Sequence, residues 1–239
     1  MNDSRSRTRP ETACRASAAL ALLVALPLAA AAPAPPAPWS DTPQARLAAL
    51  ALIETLNGEL LATQSATLTL ERWCAAHDLA RPAELHAQQL QSAVESADPE
   101  VRADLHVEPG ELVIHRRVAL RCGGQLLSVA DNWYVPARLS QAMNEQLEHS
   151  QAPFGTVVQS LQPYRRTLAA HMLWAPLPAG WERAAPQAHS PAASGSALLL
   201  PQVLFEHRAL MLGSDHRPLA ELHESYQRDL LAFTEPKLP

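Results

Sequence analysis

The stretch that most limits how this chain can fold is "ELVIHRRVALRCGGQLLSVADNWYVP", Glu111 to Pro136. Leu112, Ile114, Val118, Leu120 and Cys122 recur at even positions, the period-two pattern of a strand with two unlike faces. Gly123-Gly124 makes a hairpin turn, and the following run returns as the partner strand. It ends at Pro136, which cannot donate to a ladder. A second hairpin is spelled by "QVLFEHRALML" and "PLAELHESYQRDLL" on either side of "GSDHR". Strands that pair locally, with helices grouped apart and no βαβ rhythm, predict an α+β fold.

The remaining segments fill in around these hairpins. Thr42 caps a helix running to Ala62, with Pro43 at its first position. In "SATLTLERWC", Ala66, Leu68 and Leu70 alternate with Ser and Thr, which predicts a strand with one polar face. Residues 83–97 hold few breakers and are expected to be a helix or helical flap. Ser140 caps a helix to His149, and Pro153-Phe154-Gly155 forms a turn leading into "TVVQSL". A Pro-, Ala- and Ser-rich insertion, about 176–201, reads as a surface loop. The expected organisation is an N-terminal segment (1–32), a Pro/Ala linker (33–42) and one domain (43–235).

The N-terminal segment has the pattern of an export signal. Arg5, Arg7, Arg9 and Arg15 precede the uncharged run Ala16–Ala31, and Ala29 and Ala31 give an A-x-A cleavage pattern. The run is short for a membrane span, which needs about 20 residues. The expected location is exported or periplasmic if the signal is genuine. It is cytoplasmic if the start is misassigned, and membrane contact arises only if the segment is retained uncleaved. Cleavage would remove four arginines and two acids, leaving 15 basic and 22 acidic residues.

Composition excludes several chemistries. The formal net charge is −5, and the body has no basic tract, which argues against nucleic acid as a partner. Lys237 is the only lysine, at a Pro-flanked tail, so Schiff-base chemistry is not expected. No CxxC, HExxH or GxSxG motif occurs, and neither a metal nor a cofactor is expected. Cys74 and Cys122 could pair in an oxidising compartment; the preferred reading is two small buried hydrophobes.

The order of several segments resembles the chorismate pyruvate-lyase superfamily. They are "SATLTLE" (Ser65–Glu71), "RRVALRC" (Arg116–Cys122), "VP" (Val135–Pro136), "APFG" (Ala152–Gly155) and "PLAELHESY" (Pro218–Tyr226). That group includes lyases, ligand-binding domains of transcriptional regulators and a little-studied lyase-like family, and the "DNWYVPARL" block resembles the last most. The resemblance implies a six-stranded antiparallel sheet with helices on one side and helical flaps over a buried site. It places the family's carboxylate-binding arginine on Arg117, with Arg116 as the other register, and its essential acid on Glu224, with Glu221 as the alternative. Phe154 and Gly155 would line the pocket, and Ser65 and Thr67 would stand on an early strand. Apart from the resemblance, Arg165–Arg166 could supply a second carboxylate clamp, with Arg166 as the contact; the alternative is a charged turn after Pro163. Ala66 departs from the methionine usual in the lyases.

Chorismate is a dianion, and its elimination to pyruvate and 4-hydroxybenzoate needs no cofactor. An arginine fork suits its carboxylate and a buried glutamate suits proton transfer. The resemblance therefore implies such a lyase, or one acting on a similar carboxylated cyclic ether. The alternative is a non-catalytic, exported protein binding an aromatic or carboxylate ligand. Asn132 reads chiefly as a strand-end hydrogen-bonding residue, its other reading being to orient a ligand carboxylate.

Overall fold

The computed structural model describes residues 39–93, 97–183 and 196–237. The expected export signal and the middle of the Pro-rich insertion lie outside these residues. Among the described residues no helix is long and apolar enough to cross a membrane.

The first helix, α1 (Pro43–Ala62), begins as the sequence predicts, with the Thr42 side chain accepting from Ala45 N–H. The next segment does not. Ser65 caps a second helix, α2 (Ala66–Ala76), where a strand was expected. The alternation over 66–70 was misleading. Over the longer window, buried Ala66, Leu70, Trp73 and Cys74 recur at i, i+4, i+7 and i+8, a helical stripe. The converse correction applies to 83–97, where Leu85–Ala93 is a strand, β1. Only Leu85 and Ala87 in it are fully buried, so its own pattern carries little strand signal, and pairing with the next strand decides it.

The central hairpin forms as expected from β2 (Ile114–Cys122) and β3 (Gln125–Tyr134). Gly123 turns at φ +55°, and a Cβ there would meet the Ala80 Cβ at 2.6 Å, so both backbone and space demand glycine. The second hairpin joins β5 (Val203–Leu212) to β6 (Pro218–Gln227), and β4 (Tyr164–Met172) adds to β5. The six strands form one antiparallel sheet in the order β1-β2-β3-β6-β5-β4. The α+β class, with its six-stranded antiparallel sheet, is as the sequence led us to expect.

One face of the sheet carries the long helices. α1 and α2 cover one end of it, where Leu56, Leu60, Leu70 and Trp73 pack on Val118, Leu120 and Phe205. The other end is covered by α4 (Gln141–His149) and the four-residue α5 (Phe154–Val157), with Leu147, Phe154 and Val158 against Tyr134 and Leu222. A short helix, α3 (Pro99–Asp104), meets the opposite face, where Arg208 bonds Asp104 and Glu221. Trp39, assigned to the linker, is 3% exposed and its indole donates to Phe233 O.

Two features fix the helices to the sheet. Cys74 and Cys122, read as unpaired hydrophobes, form a disulfide between α2 and β2. The helical form of 66–76 places Cys74 on the buried stripe opposite Cys122, a placement that a strand reading could not anticipate. In the "VPARL" block, the Arg138 guanidinium donates to Leu105 O, His106 O, Pro218 O and Glu111 Oε2. That arginine holds three chain segments together.

Candidate functional site

The two core clusters on the helical face meet along a seam, and a chamber opens in it. Val118, Leu120 and Ala130 line it from one cluster, and Phe154, Met211 and Leu222 from the other. Its polar lining is Ser65, Thr67, Asn132, Arg165 and Glu224. The helical start at Ser65 and the turn at Pro153-Phe154-Gly155 approach closely above it. A Cβ on Gly155 would lie 3.1 Å from Thr67 Oγ1, so the small residue lets these two walls touch.

Strand alternation decides which charged groups reach the chamber. On β2, Arg116, Val118 and Leu120 share the helical face, while His115 and Arg117 share the other. Arg117, expected to clamp a carboxylate, is half exposed on that other face and pairs with Asp131 at 3.1 Å. The inward residue is Arg116, which is 1% exposed and stands directly across from Asn132. None of its guanidinium nitrogens finds a hydrogen-bond partner. Burial pushes its pKa below the ordinary arginine range, and neighbouring Tyr134 opposes that fall.

The same one-residue correction applies on β4. Arg166, expected as a second clamp, is exposed, whereas the Arg165 side chain is 1% exposed and lines the chamber. Arg165 Nη2 donates to Glu224 Oε2 at 2.5 Å, while its Nε and Nη1 stay without partners. Tyr226 also donates to Glu224 Oε2, at 3.2 Å. Its phenol is fully buried, and that burial pushes its pKa well up, so it remains a donor. Glu221, the alternative acid, is on the other face, held by Arg208 and His223.

Ser65, Thr67, Phe154, Gly155 and Glu224 are therefore brought together, and Arg117 and Arg166 are not. Ser65 and Thr67 arrive from a helix start rather than a strand. His207 and Thr167 were not singled out in the sequence. His207 Nε2 donates to Asn57 Oδ1 at 2.8 Å. Burial, with a smaller push from Arg165, lowers its pKa to about 4, so it is neutral at pH 7. Thr167 Oγ1 is buried without a partner. The ladder aligns Arg116, Asn132, Leu222, Ala209 and Thr167 in one row across five strands. Parity was the available signal: Val118, Leu120 and Cys122 imply an inward Arg116, not Arg117.

The charges do not balance. Among the described residues Arg165 pairs with Glu224, His207 is neutral, and Arg116 has no counterion. A buried cation without a counterion costs several kcal/mol; Arg116 lies beside Asn132 and Val118 of the chamber wall without being part of the lining itself. Among the described residues no cluster of His, Cys, Asp or Glu could hold a metal ion.

Comparison with known proteins gives one close relative. Over 201 residues the chain is 44% identical to the uncharacterized protein y4mC of Sinorhizobium fredii, covering 84% of each. No family model matches. Similar solved structures include the effector domain of PhnF from Mycobacterium smegmatis, at 15% identity and TM-score 0.44, covering 70% of this chain and 90% of that one. Another is a GntR-family transcriptional regulator from Enterococcus faecalis, at 9% identity and TM-score 0.39, covering 64% and 99%. The sequence reading placed this chain nearer the lyase-like family than the regulator domains. That preference is corrected, because the similar solved structures are regulator effector and ligand-binding domains.

Proposed function

This chain belongs to the family of the uncharacterized protein y4mC, and from that premise and the geometry of the seam we propose that it binds a small carboxylate without transforming it. The observation that carries the reading is Arg116, buried with all its guanidinium nitrogens unpartnered beside Asn132 and Val118, which line the chamber. A planar fork with free donors matches a carboxylate in two parallel hydrogen bonds. One uncompensated positive charge favours one carboxylate over a dianion such as chorismate. Glu224 supports binding over proton transfer, since Oε2 is already engaged by Arg165 and Tyr226.

The buried disulfide supports the exported location expected from the N-terminus, because such bonds persist in oxidising compartments. N-terminal sequencing of the mature protein tests this; an intact Met1 would overturn it.

Thermal melting of the full chain with benzoate and short aliphatic monocarboxylates tests the binding reading. At least one is expected to raise Tm, and Arg116→Met is expected to abolish the rise. A rise that survives Arg116→Met would defeat the assignment of the anchor. Release of 4-hydroxybenzoate from added chorismate would defeat the non-catalytic reading.

A further inference from the structure

The inner chamber has a volume of only about 30 Å³, room for little beyond a water or a carboxylate-sized group. Ligand pockets commonly run to about 300–1,000 Å³. A second cavity of about 230 Å³ adjoins it and shares Ser65, Gly155 and Met211 with it. The larger cavity is therefore a vestibule to the smaller one.

The vestibule's lining is of a different chemistry. It holds Gln64, Thr156, Gln159 and Gln162, with Leu68 and Pro163 as apolar surface, and among the described residues no charged side chain. The three glutamine amides make no hydrogen bond to the rest of the described protein. Each offers both donors and an acceptor. Gln162 is also held at φ 51°, ψ 52°, a conformation uncommon outside glycine that turns the chain at the vestibule rim.

We propose that the ligand has two parts: a carboxylate head seated in the chamber and a neutral, hydroxyl-bearing body, such as a sugar ring, in the vestibule. This rests on the carboxylate reading above and adds the class of the body. Hydroxyls both donate and accept, as the carboxamides do, so the two sets can pair completely. Leu68 and Pro163 suit the C–H face of a sugar ring. A charged body would find no counterion in this lining, and a purely apolar one would bury amides without partners, at a cost of about 1–3 kcal/mol each.

Calorimetry on the full chain can compare acetate, which offers the head alone, with glucuronate, which carries the carboxylate directly on a sugar ring. Glucuronate is expected to bind at least about tenfold more tightly. Gln64→Leu/Gln159→Leu, both at exposed positions, should reduce that advantage below about threefold. Acetate binding with no gain for glucuronate would overturn the vestibule assignment and leave the carboxylate reading standing. Binding of neither compound would overturn both. A double variant of normal Tm that keeps the full advantage would overturn the assignment of the glutamines to the body.

Discussion

Arg116 and Arg165 are both buried, yet their charges are met differently. Arg165 has Glu224 as counterion, and Arg116 has none among the described residues. The two positions should therefore respond oppositely to neutral replacement. Arg116→Met is expected to raise stability by about 1–4 kcal/mol, since a well-packed apolar chain replaces a desolvated charge. Glu224→Gln leaves Arg165 unpaired and should cost about 3–5 kcal/mol. Urea unfolding of both variants checks the pair, and destabilisation by Arg116→Met would mean that its guanidinium is satisfied in solution. His207 adds a pH dependence. Above pH 6.5 it is neutral in both folded and unfolded chains. Between 6.5 and about 4 only the unfolded chain takes the proton, so stability falls as pH falls, then levels off. The loss amounts to about 3 kcal/mol at most. His77, whose pKa burial also lowers, acts in the same sense. Unfolding at pH 7 and 4.5 should show a smaller drop for His207→Gln than for the parent.

At the scale of elements, α2 matters because its start forms the chamber wall and its end carries the disulfide. The bridge spans 48 residues of sequence, for which chain entropy alone gives about 4 kcal/mol. Cys74→Ala/Cys122→Ala should lower stability by about 2–4 kcal/mol and weaken carboxylate binding. The second effect follows because Ser65 and Thr67 would lose their tether to β2. Calorimetry with benzoate reads it; unchanged affinity would show that packing alone holds α2. Arg138 is the corresponding device at the other end of the sheet. Arg138→Met strands acceptors at Leu105, His106, Glu111 and Pro218 and should cost about 3–5 kcal/mol in a urea melt. The unusual "DNWYVPARL" block thus serves mainly as structure. Asn132 reaches the chamber, Trp133 lies on the opposite face between His115 and His223, and Arg138 rivets the turn.

For the whole molecule, the site is a seam between two hydrophobic clusters, so a ligand there should bind them to each other. Hydrogen exchange with benzoate bound is expected to slow at Ala66–Thr69 and Phe154–Val158, and to be unchanged in α3 on the far face. Protection confined to α3 would place the ligand elsewhere. The two β-hairpins, α1 and α4 were legible in the sequence, because alternation, Gly-Gly and capping residues are local signals. Glu224 was singled out through family resemblance alone, and the fold places it in the chamber lining. The alternating Ser/Thr run of α2 and the Gln-rich β1 were not, since each carries a local pattern that the tertiary partner overrides. From local pattern alone, the strand that carries Arg116–Arg117 must present one arginine inward and one outward, and its parity with Val118, Leu120 and Cys122 points to Arg116. That Tyr164–Met172 is a strand, and that Arg165 rather than Arg166 is its inward arginine, came from the fold, because a shift of one residue in a strand exchanges its two faces. The packing of α1, α2, α4 and α5 on one side of the sheet made Arg116 and Arg165 the inward pair and, among the described residues, left Arg116 without a counter-charge.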